Sequence, residues 1–391
     1  MDNHKKRVGF FFPNELNHWN GGINYFRNLI TILINSDDYV PVIICSDELT
    51  NLVENRFSDV EVHFTKYMKD GTLISSIRKF ILYTFKYNLF VNKILRDYKI
   101  DIVSHDEIFP PNINTKISTS CWIPDFQSMH FPELFSKKNE KRVKILRKIL
   151  FTNCDKIIVS SEDCKNDLVT FYPYVNKDKI VSFPFALPPK INDDDYDIHI
   201  LNKYGLVEKK YFLITNQFWE HKNHKTVLKA IEYLIESNKN IDFKIVATGL
   251  LKDLRNPSYG EELKEIIQSF SNKDVFVTTG NIPYTDVKTL INYSIAIIQP
   301  SLFEGWNTSV EECKLIGKKI ILSDLPVHRE QNPENVVFFN PKDYKELGDI
   351  LLRVYDNYNI DEEDRYENSA KDHQIQNWKN FSERYLKILG K

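Results

Sequence analysis

Short apolar runs alternate with longer amphipathic stretches along almost the whole chain, which is the pattern of βαβ units and a parallel sheet. RVGFFF predicts a strand, GGINYFRNLITILIN a helix with Ile23, Phe26, Leu29, Ile30 and Leu33 on one face, and PVIICS the next strand. KISTSCW, KIIVSS and KIVSFPF continue as strands, with helices over 138–152 and 163–171. Near residue 184 the texture changes: FPFALPPKINDDDYD mixes prolines and acids without an apolar period and reads as a linker. Beyond it YFLITN, DFKIVATG, VFVTTG, IAIIQPS and KIILSD predict strands, separated by helices over 225–237, 260–270, 285–293 and 309–316. The tail over 344–389 reads as helical.

A chain of 391 residues exceeds what one core usually accommodates. The expected architecture is therefore α/β, with two Rossmann-like doubly wound domains facing across a cleft. They are assigned to residues 1–185 and 186–374, and the last helix, 375–391, is expected to pack back onto the first.

Composition narrows the function classes. The 52 basic and 54 acidic side chains leave a net charge of −2, so no whole-molecule field would hold nucleic acid. The apolar run at 8–13 is too short for a signal-peptide core, and no run of about 18 apolar residues exists to span a bilayer, so a cytoplasmic protein is expected. Cys45, Cys121, Cys154, Cys164 and Cys313 are odd in number and never spaced as Cys-x-x-Cys, which predicts buried free thiols. Asp193, Asp194, Asp195 and Asp197 contain two Asp-x-Asp spacings of the kind that can hold a divalent cation. They lie in the proline-bounded linker, however, and are read as solvated charge, so neither a metal nor a cofactor is expected.

The stretch PSLFEGWNTSVEECKLIGKKIILSD places Glu304 and Glu312 around a turn between a strand and a helix. In open parallel sheets, ligands sit beyond the carboxyl ends of strands, where helix N-termini favour anions. Thr308 with Glu311 fits a capping box, which gives Glu311 a structural task, while Glu312 points about 100° away around the helix. A loop carboxylate, a helix carboxylate and the amides of 306–309 suit a ligand with a ribose diol, a hydroxyl-rich sugar and a diphosphate. The plainer alternative is that both acids only favour a helix start.

This stretch, continued through LPVHRE, resembles the signature of the family-4 retaining glycosyltransferases, a GT-B fold family whose pattern runs P-S-x-x-E-G-F-G-x-P-x-x-E. The resemblance implies that Glu304 hydrogen-bonds the transferred sugar, that Glu312 holds the donor ribose, and that Gly305, Trp306, Asn307 and Thr308 turn amides toward sugar or phosphate. PNELNHWNGGINYFRNLI is similar to the family's N-terminal glycine loop, which implies that the Gly21 and Gly22 amides approach the donor phosphate. NQFWEHKNHKTVLKAI resembles the segment carrying the diphosphate-binding lysine, here Lys222. WIPDFQSMHFPELFS resembles the His-Asp segment of the first domain, with Asp125 on its aspartate.

Departures from the pattern carry information too. The family's phosphate arginine is Gln217, leaving Lys222, helix dipoles and His221 or His224 to compensate. The histidine before Asp125 is Pro124, which leaves His130 as the candidate substitute unless it is an ordinary polar residue of the loop, and the second glycine of the Glu-Gly-Phe-Gly run is Asn307. NQFWEHKNH and WIPDFQ look like a subgroup that transfers mannose or rhamnose during synthesis of bacterial surface polysaccharide, lipopolysaccharide or capsule.

The implied activity is metal-independent, retaining hexosyl transfer from a nucleotide-diphosphate sugar to a saccharide or lipid-linked saccharide. The alternatives are a non-catalytic nucleotide-sugar-binding protein and a nucleotide-sugar epimerase of the same fold. Two basic amphipathic segments, 73–99 and 137–153, suit peripheral contact with an anionic inner leaflet, unless Ile77, Phe80, Ile81, Phe85, Ile145 and Leu146 are core stripes.

Overall fold

The structure, a computed structural model, describes residues 5–112, 117–189, 196–253 and 255–390. Its chain divides into two compact units, Met1–Ala186 with Lys379–Lys391, and Leu187–Trp378.

The first unit is built on seven parallel strands: β1 (Lys6–Phe11), β2 (Tyr39–Cys45), β3 (Glu61–Phe64), β4 (Ile102–Asp106), β5 (Ser118–Ile123), β6 (Lys156–Val159) and β7 (Ile180–Ser182). Their order is β3-β2-β1-β4-β5-β6-β7, so the winding reverses between β1 and β4. Strands in the middle of such a sheet are covered on both faces, which is why Val8, Phe10 and Phe11 are all buried. The helix Asn20–Ile34 buries Ile23, Phe26, Leu29, Ile30 and Leu33, the face its periodicity predicts. The segment 73–99 forms two helices, Leu73–Phe85 and Val91–Asp97; the first ends at Lys86, which is left-handed with φ +58°.

The second unit repeats the plan with β8 (Tyr211–Ile214), β9 (Lys244–Thr248), β10 (Phe276–Gly280), β11 (Ile297–Gln299), β12 (Ile320–Ser323) and β13 (Val336–Phe339). The order is β10-β9-β8-β11-β12-β13, with its reversal between β8 and β11.

The chain ends in a 30-residue helix, Ile360–Leu389. In the first unit its last turns are anchored by Phe381, stacked on Phe183 at 4.6 Å, and by the buried Tyr385, whose hydroxyl is 3.0 Å from Ser104 Oγ. All five cysteines are buried and unbridged. Asp193, Asp194 and Asp195 lie outside the described residues, whereas Asp197 accepts the backbone N–H of His199 at 3.0 Å. Among the described residues no helix is long and apolar enough to cross a membrane, and no three His, Cys, Asp or Glu side chains group as a metal site.

Candidate functional site

In doubly wound sheets the crevice beyond the strand ends, where the winding reverses, is the ligand position. In the second unit that point is flanked by the loop after β8, which carries Gln217 and Lys222, and the loop after β11, which carries Glu304. The structure joins these loops. Lys222 Nζ donates to both carboxylate oxygens of Glu304, at 2.7 and 2.8 Å, and the pair is buried, with side chains 15% and 7% exposed. Ser301 Oγ and Asn307 Nδ2 also donate to Glu304 Oε1, at 2.6 and 3.3 Å. Oε2 receives only Lys222 among the described residues, so it retains a free lone pair for a ligand hydroxyl.

The backbone explains how the lysine is placed. Asn223 is left-handed, with φ +59°, and its amide nitrogen bonds the carbonyls of Pro300 and Pro341 at 2.9 and 2.8 Å. Asparagine tolerates this conformation better than most residues. It therefore turns the short helix Glu220–Lys222 back against the loop that carries Glu304.

The capping expectation is corrected. The helix Thr308–Ile316 is capped by Asn307, whose Oδ1 accepts from the N–H groups of Ser309 and Val310 at 3.0 and 3.4 Å; Thr308 is its first helical residue. Asn307 reaches farther than a threonine, since its Nδ2 also donates to Gln299 Oε1 at 3.1 Å. Glu311 is not the reciprocal half of a box: it is buried and accepts from Gln331 Nε2 at 2.9 Å. Gly305 is buried, and Trp306 and Thr308 are half-buried beside the cap. The helix ends at Gly317, with φ +69°, where a Cβ would stand 2.3 Å from the Tyr366 carbonyl oxygen.

Glu312 is half-buried and accepts a 2.8 Å hydrogen bond from the Tyr284 hydroxyl. Burial holds its carboxyl above the usual range and the tyrosine partly offsets this. It lines a cavity of about 310 Å³ with Tyr284, Lys288, Leu315 and Tyr196.

Histidine does not replace the missing arginine. His221 and His224 are buried, and desolvation pushes their pKa values down to about 2 and about 3, so both rings are neutral. Gln217 serves the backbone, with Oε1 accepting from Leu250 N–H at 3.3 Å. The cation that sequence reasoning missed is Arg255, from the loop after β9. Its guanidinium lies over the Trp219 ring at 4.9 Å, with Nη2 3.4 Å from His221 Nδ1. Its Nε also lies 3.4 Å from Asp253 Oδ1, and no local pattern marks it, because His221 and Trp219 are 34 and 36 residues away. His328 was missed as well. Its Nδ1 must carry the proton, since it donates to the Ser323 carbonyl at 2.8 Å, while the buried Nε2 has no partner among the described residues. Lys222 and Glu304 both contribute to the field at this ring.

In the first unit, Gly21 and Gly22 belong to the first turn of a helix rather than to a loop, and neither has positive φ. Gly22 is required by its neighbour: a Cβ there would meet the Trp19 ring at 2.4 Å. Asp125 is half-buried, accepts from Gln127 N–H at 2.9 Å, and its carbonyl accepts from Arg147 Nη2 at 2.9 Å. His130 is exposed and paired to Asp167 at 2.8 Å.

Two doubly wound parallel-sheet units, of seven and six strands, are the architecture of the GT-B fold. Residues 199–373 match the model of glycosyl transferases group 1, so the chain carries a group 1 glycosyltransferase domain. It is 22% identical over 321 residues to the O-antigen chain mannosyltransferase RfbU of Salmonella typhimurium, covering 81% of this chain and 82% of that one. Among solved structures it resembles a glycosyltransferase from Rickettsia africae, with a TM-score of 0.69 and 15% identity over 99% of both chains. It also resembles Anabaena Alr3699/HepE in complex with UDP and glucose, with a TM-score of 0.73 and 12% identity over 99% of this chain and 100% of that one.

Proposed function

We propose that the protein is a retaining hexosyltransferase of surface-polysaccharide synthesis. It would move a mannose- or rhamnose-type sugar from a nucleoside-diphosphate donor to a saccharide or lipid-linked saccharide. The observation that carries this reading is the Lys222–Glu304 pair at the switch point of the second sheet, with Glu312 on the following helix. The mannosyltransferase relative supports the sugar class.

In this reading Glu304 Oε2 takes a sugar hydroxyl and Glu312 takes the ribose diol, while Lys222 and the amides at 306–309 face the diphosphate. A lysine ammonium and helix N–H groups stabilise the departing diphosphate as its charge develops, so no metal is assigned. The bond from the anomeric carbon to the diphosphate oxygen breaks, the bond to the acceptor oxygen forms on the same face, and the acceptor proton leaves with the diphosphate. Asp125 is assigned to the acceptor side; the tie of His130 to Asp167 weighs against a catalytic task for that ring.

Contact with the inner leaflet is supported by the first unit's surface. On the helix Leu73–Phe85, the residues Leu73, Ile77 and Phe80 form one outward stripe, 76%, 44% and 65% exposed. They are therefore not core, and neither is Phe85. Arg142 over the Tyr83 ring sets the lysine-rich helix Lys137–Asn153 beside that stripe. An apolar face flanked by lysines suits an anionic bilayer surface.

The test is a panel of GDP-mannose, dTDP-rhamnose and UDP-glucose, scored by thermal stabilisation and by nucleotide release with saccharide acceptors. One donor should stabilise the protein and release nucleotide when acceptor is present. Binding without release supports the non-catalytic alternative; an altered sugar without acceptor supports the epimerase.

A further inference from the structure

The switch point of the first sheet holds a second charged group that the donor reading leaves unused. Winding reverses between β1 and β4, and the chain leaves β1 toward Glu15, β4 into Glu107 and the adjacent β5 toward Asp125. β4 ends irregularly: His105 is left-handed, with φ +55°, and the register with β5 shifts between Val103 and Asp106. Tyr25 and Ser104 hold the His105 ring at 2.9 and 2.7 Å. A non-glycine residue kept in this conformation is strained, and such bulges typically re-aim the side chains that follow. Here those are Asp106 and Glu107.

The re-aimed groups are not satisfied by the protein. Asp106 is fully buried; its Oδ1 accepts the N–H groups of Ile108 and Phe109 at 3.0 and 2.8 Å, but Oδ2 has no partner among the described residues. Glu107 Oε1 is buried and equally without a partner. Arg147 spends Nη2 on the Asp125 carbonyl and lies over Phe126 at 4.7 Å, which leaves Nη1 buried and without a partner among the described residues. Arg78, over Phe109 at 4.7 Å, leaves Nε and Nη1 in the same condition. Native interiors satisfy nearly all buried polar atoms, so four unsatisfied side chains around one set of strand ends point to a ligand.

Charge decides which ligand. Glu107 is surrounded by Asp106, Glu15 and Asp125, with Arg147 opposing, and burial with these acids pushes its carboxyl up to about 8. At neutral pH it holds its proton and offers an O–H donor and a carbonyl acceptor together. A phosphate or carboxylate would meet three further acids, Asp106, Glu15 and Asp125, against the two guanidiniums of Arg147 and Arg78. A neutral sugar ring, whose hydroxyls both donate and accept, matches donors and acceptors placed side by side.

We propose that Glu107 and Arg147, backed by Asp106 and Arg78, form an acceptor subsite that takes an uncharged sugar through its hydroxyls. The inference rests on the glycosyltransferase reading above. The test uses the donor the panel identifies and two alkyl glycoside series as acceptors, octyl glucoside and octyl mannoside against octyl glucuronide. Glu107→Ala should raise the acceptor KM about tenfold, as expected for one lost hydrogen bond, with the donor KM within about twofold; Glu107→Gln should recover most of the loss. The glucuronide should be used at least about tenfold less well. Arg147→Lys guards against misfolding of Arg147→Ala, and binding of nucleoside diphosphate reports an intact second unit. An unchanged acceptor KM in both Glu107→Ala and Arg147→Lys, or a preference for the glucuronide, overturns the subsite while leaving the transferase reading intact. A parent protein that transfers from no donor removes the transferase reading itself.

Discussion

Lys222 and Glu304 satisfy each other, with the ammonium bonding both carboxylate oxygens across the loops that follow β8 and β11. The lysine charge is therefore matched by an acid of its own chain. A donor must share or displace this contact, which links the sugar position to the phosphate position.

Removing the acid should reveal that link. Glu304→Ala strands a largely buried ammonium, at about 3 kcal/mol, or roughly 6–12 °C in the melting of the second unit. A nucleoside diphosphate supplies the missing negative charge, so it should restore most of the loss and bind at least as tightly as to the parent, whereas sugar transfer should fall by about 100-fold or more. Calorimetric melting with and without nucleotide checks this; weaker nucleotide binding in the variant would contradict it.

The Tyr284 hydroxyl should set the pH range of nucleotide binding. Glu312 accepts a ribose hydroxyl best when ionised, and burial raises its pKa while the Tyr284 hydrogen bond lowers it. Affinity should thus fall on acidification, and Tyr284→Phe should move that fall to higher pH. Isothermal titration of nucleotide between about pH 4.5 and 8 compares the two profiles; superimposable profiles would refute the assignment.

Much of this arrangement was legible in sequence, and the failures have physical causes. Strands made of continuous apolar runs, such as those of β1, β8 and β12, stood out because a central parallel strand is buried on both faces. β4 did not, because Ser104, His105 and Asp106 interrupt the run although all three are buried. β3, EVHF, is an edge strand with half of its positions exposed or charged. Glu304 and Lys222 were found through one local pattern each, but their mutual bond spans 82 residues and no periodicity encodes it. Arg255 and Arg147 reach Trp219, His221 and the Asp125 carbonyl across more than 20 residues, whereas His328 is held by Ser323, five residues before it, a spacing that no periodicity marks. The Thr-x-x-Glu spacing points to Thr308 as the cap, whereas the cap is Asn307, which is also fixed by tertiary bonds to Gln299 and Glu304 that no local spacing encodes.

Glu107 should leave a signature in stability that needs no ligand. Its carboxyl is raised from an ordinary value near 4.5 to about 8. A raised acid favours the folded state while protonated, so its contribution is fully present below about pH 4.5 and is lost as pH rises through about 8. Glu107→Gln cannot ionise, so its melting temperature should gain steadily on the parent between about pH 5 and 8. A constant offset across that range would mean that the carboxyl is ionised throughout.

The outward stripe on the helix Leu73–Phe85 should govern lipid contact without touching the fold. Leu73→Glu with Phe80→Glu changes residues 76% and 65% exposed, so stability should stay within about 0.5 kcal/mol. Sedimentation with vesicles of phosphatidylglycerol and phosphatidylethanolamine should drop at least about threefold, and added salt should weaken the parent's binding. Equal sedimentation of parent and variant would place lipid contact elsewhere or nowhere.

The final prediction isolates the diphosphate charge. Gln217, which the sequence resemblance sets where a phosphate arginine would stand, accepts from the Leu250 backbone, while His221 and His224 are neutral. Lys222 is then the cation joined directly to the proposed sugar-binding acid, with Arg255 behind His221. A positive charge there acts on bound donor and, more strongly, on the leaving group as its negative charge grows. Lys222→Ala should lower turnover at saturating donor by about 100-fold or more, in line with about 3 kcal/mol of lost electrostatic stabilisation, and should also weaken nucleotide binding. Gln217→Ala should lose far less, and Arg255→Ala should fall between them. Because the reading assigns the leaving-group charge to side chains and amides, neither magnesium nor a chelator should change the ranking or the parent rate. Normal turnover in Lys222→Ala, or loss of parent activity on chelation, would place stabilisation of the diphosphate somewhere other than this pair.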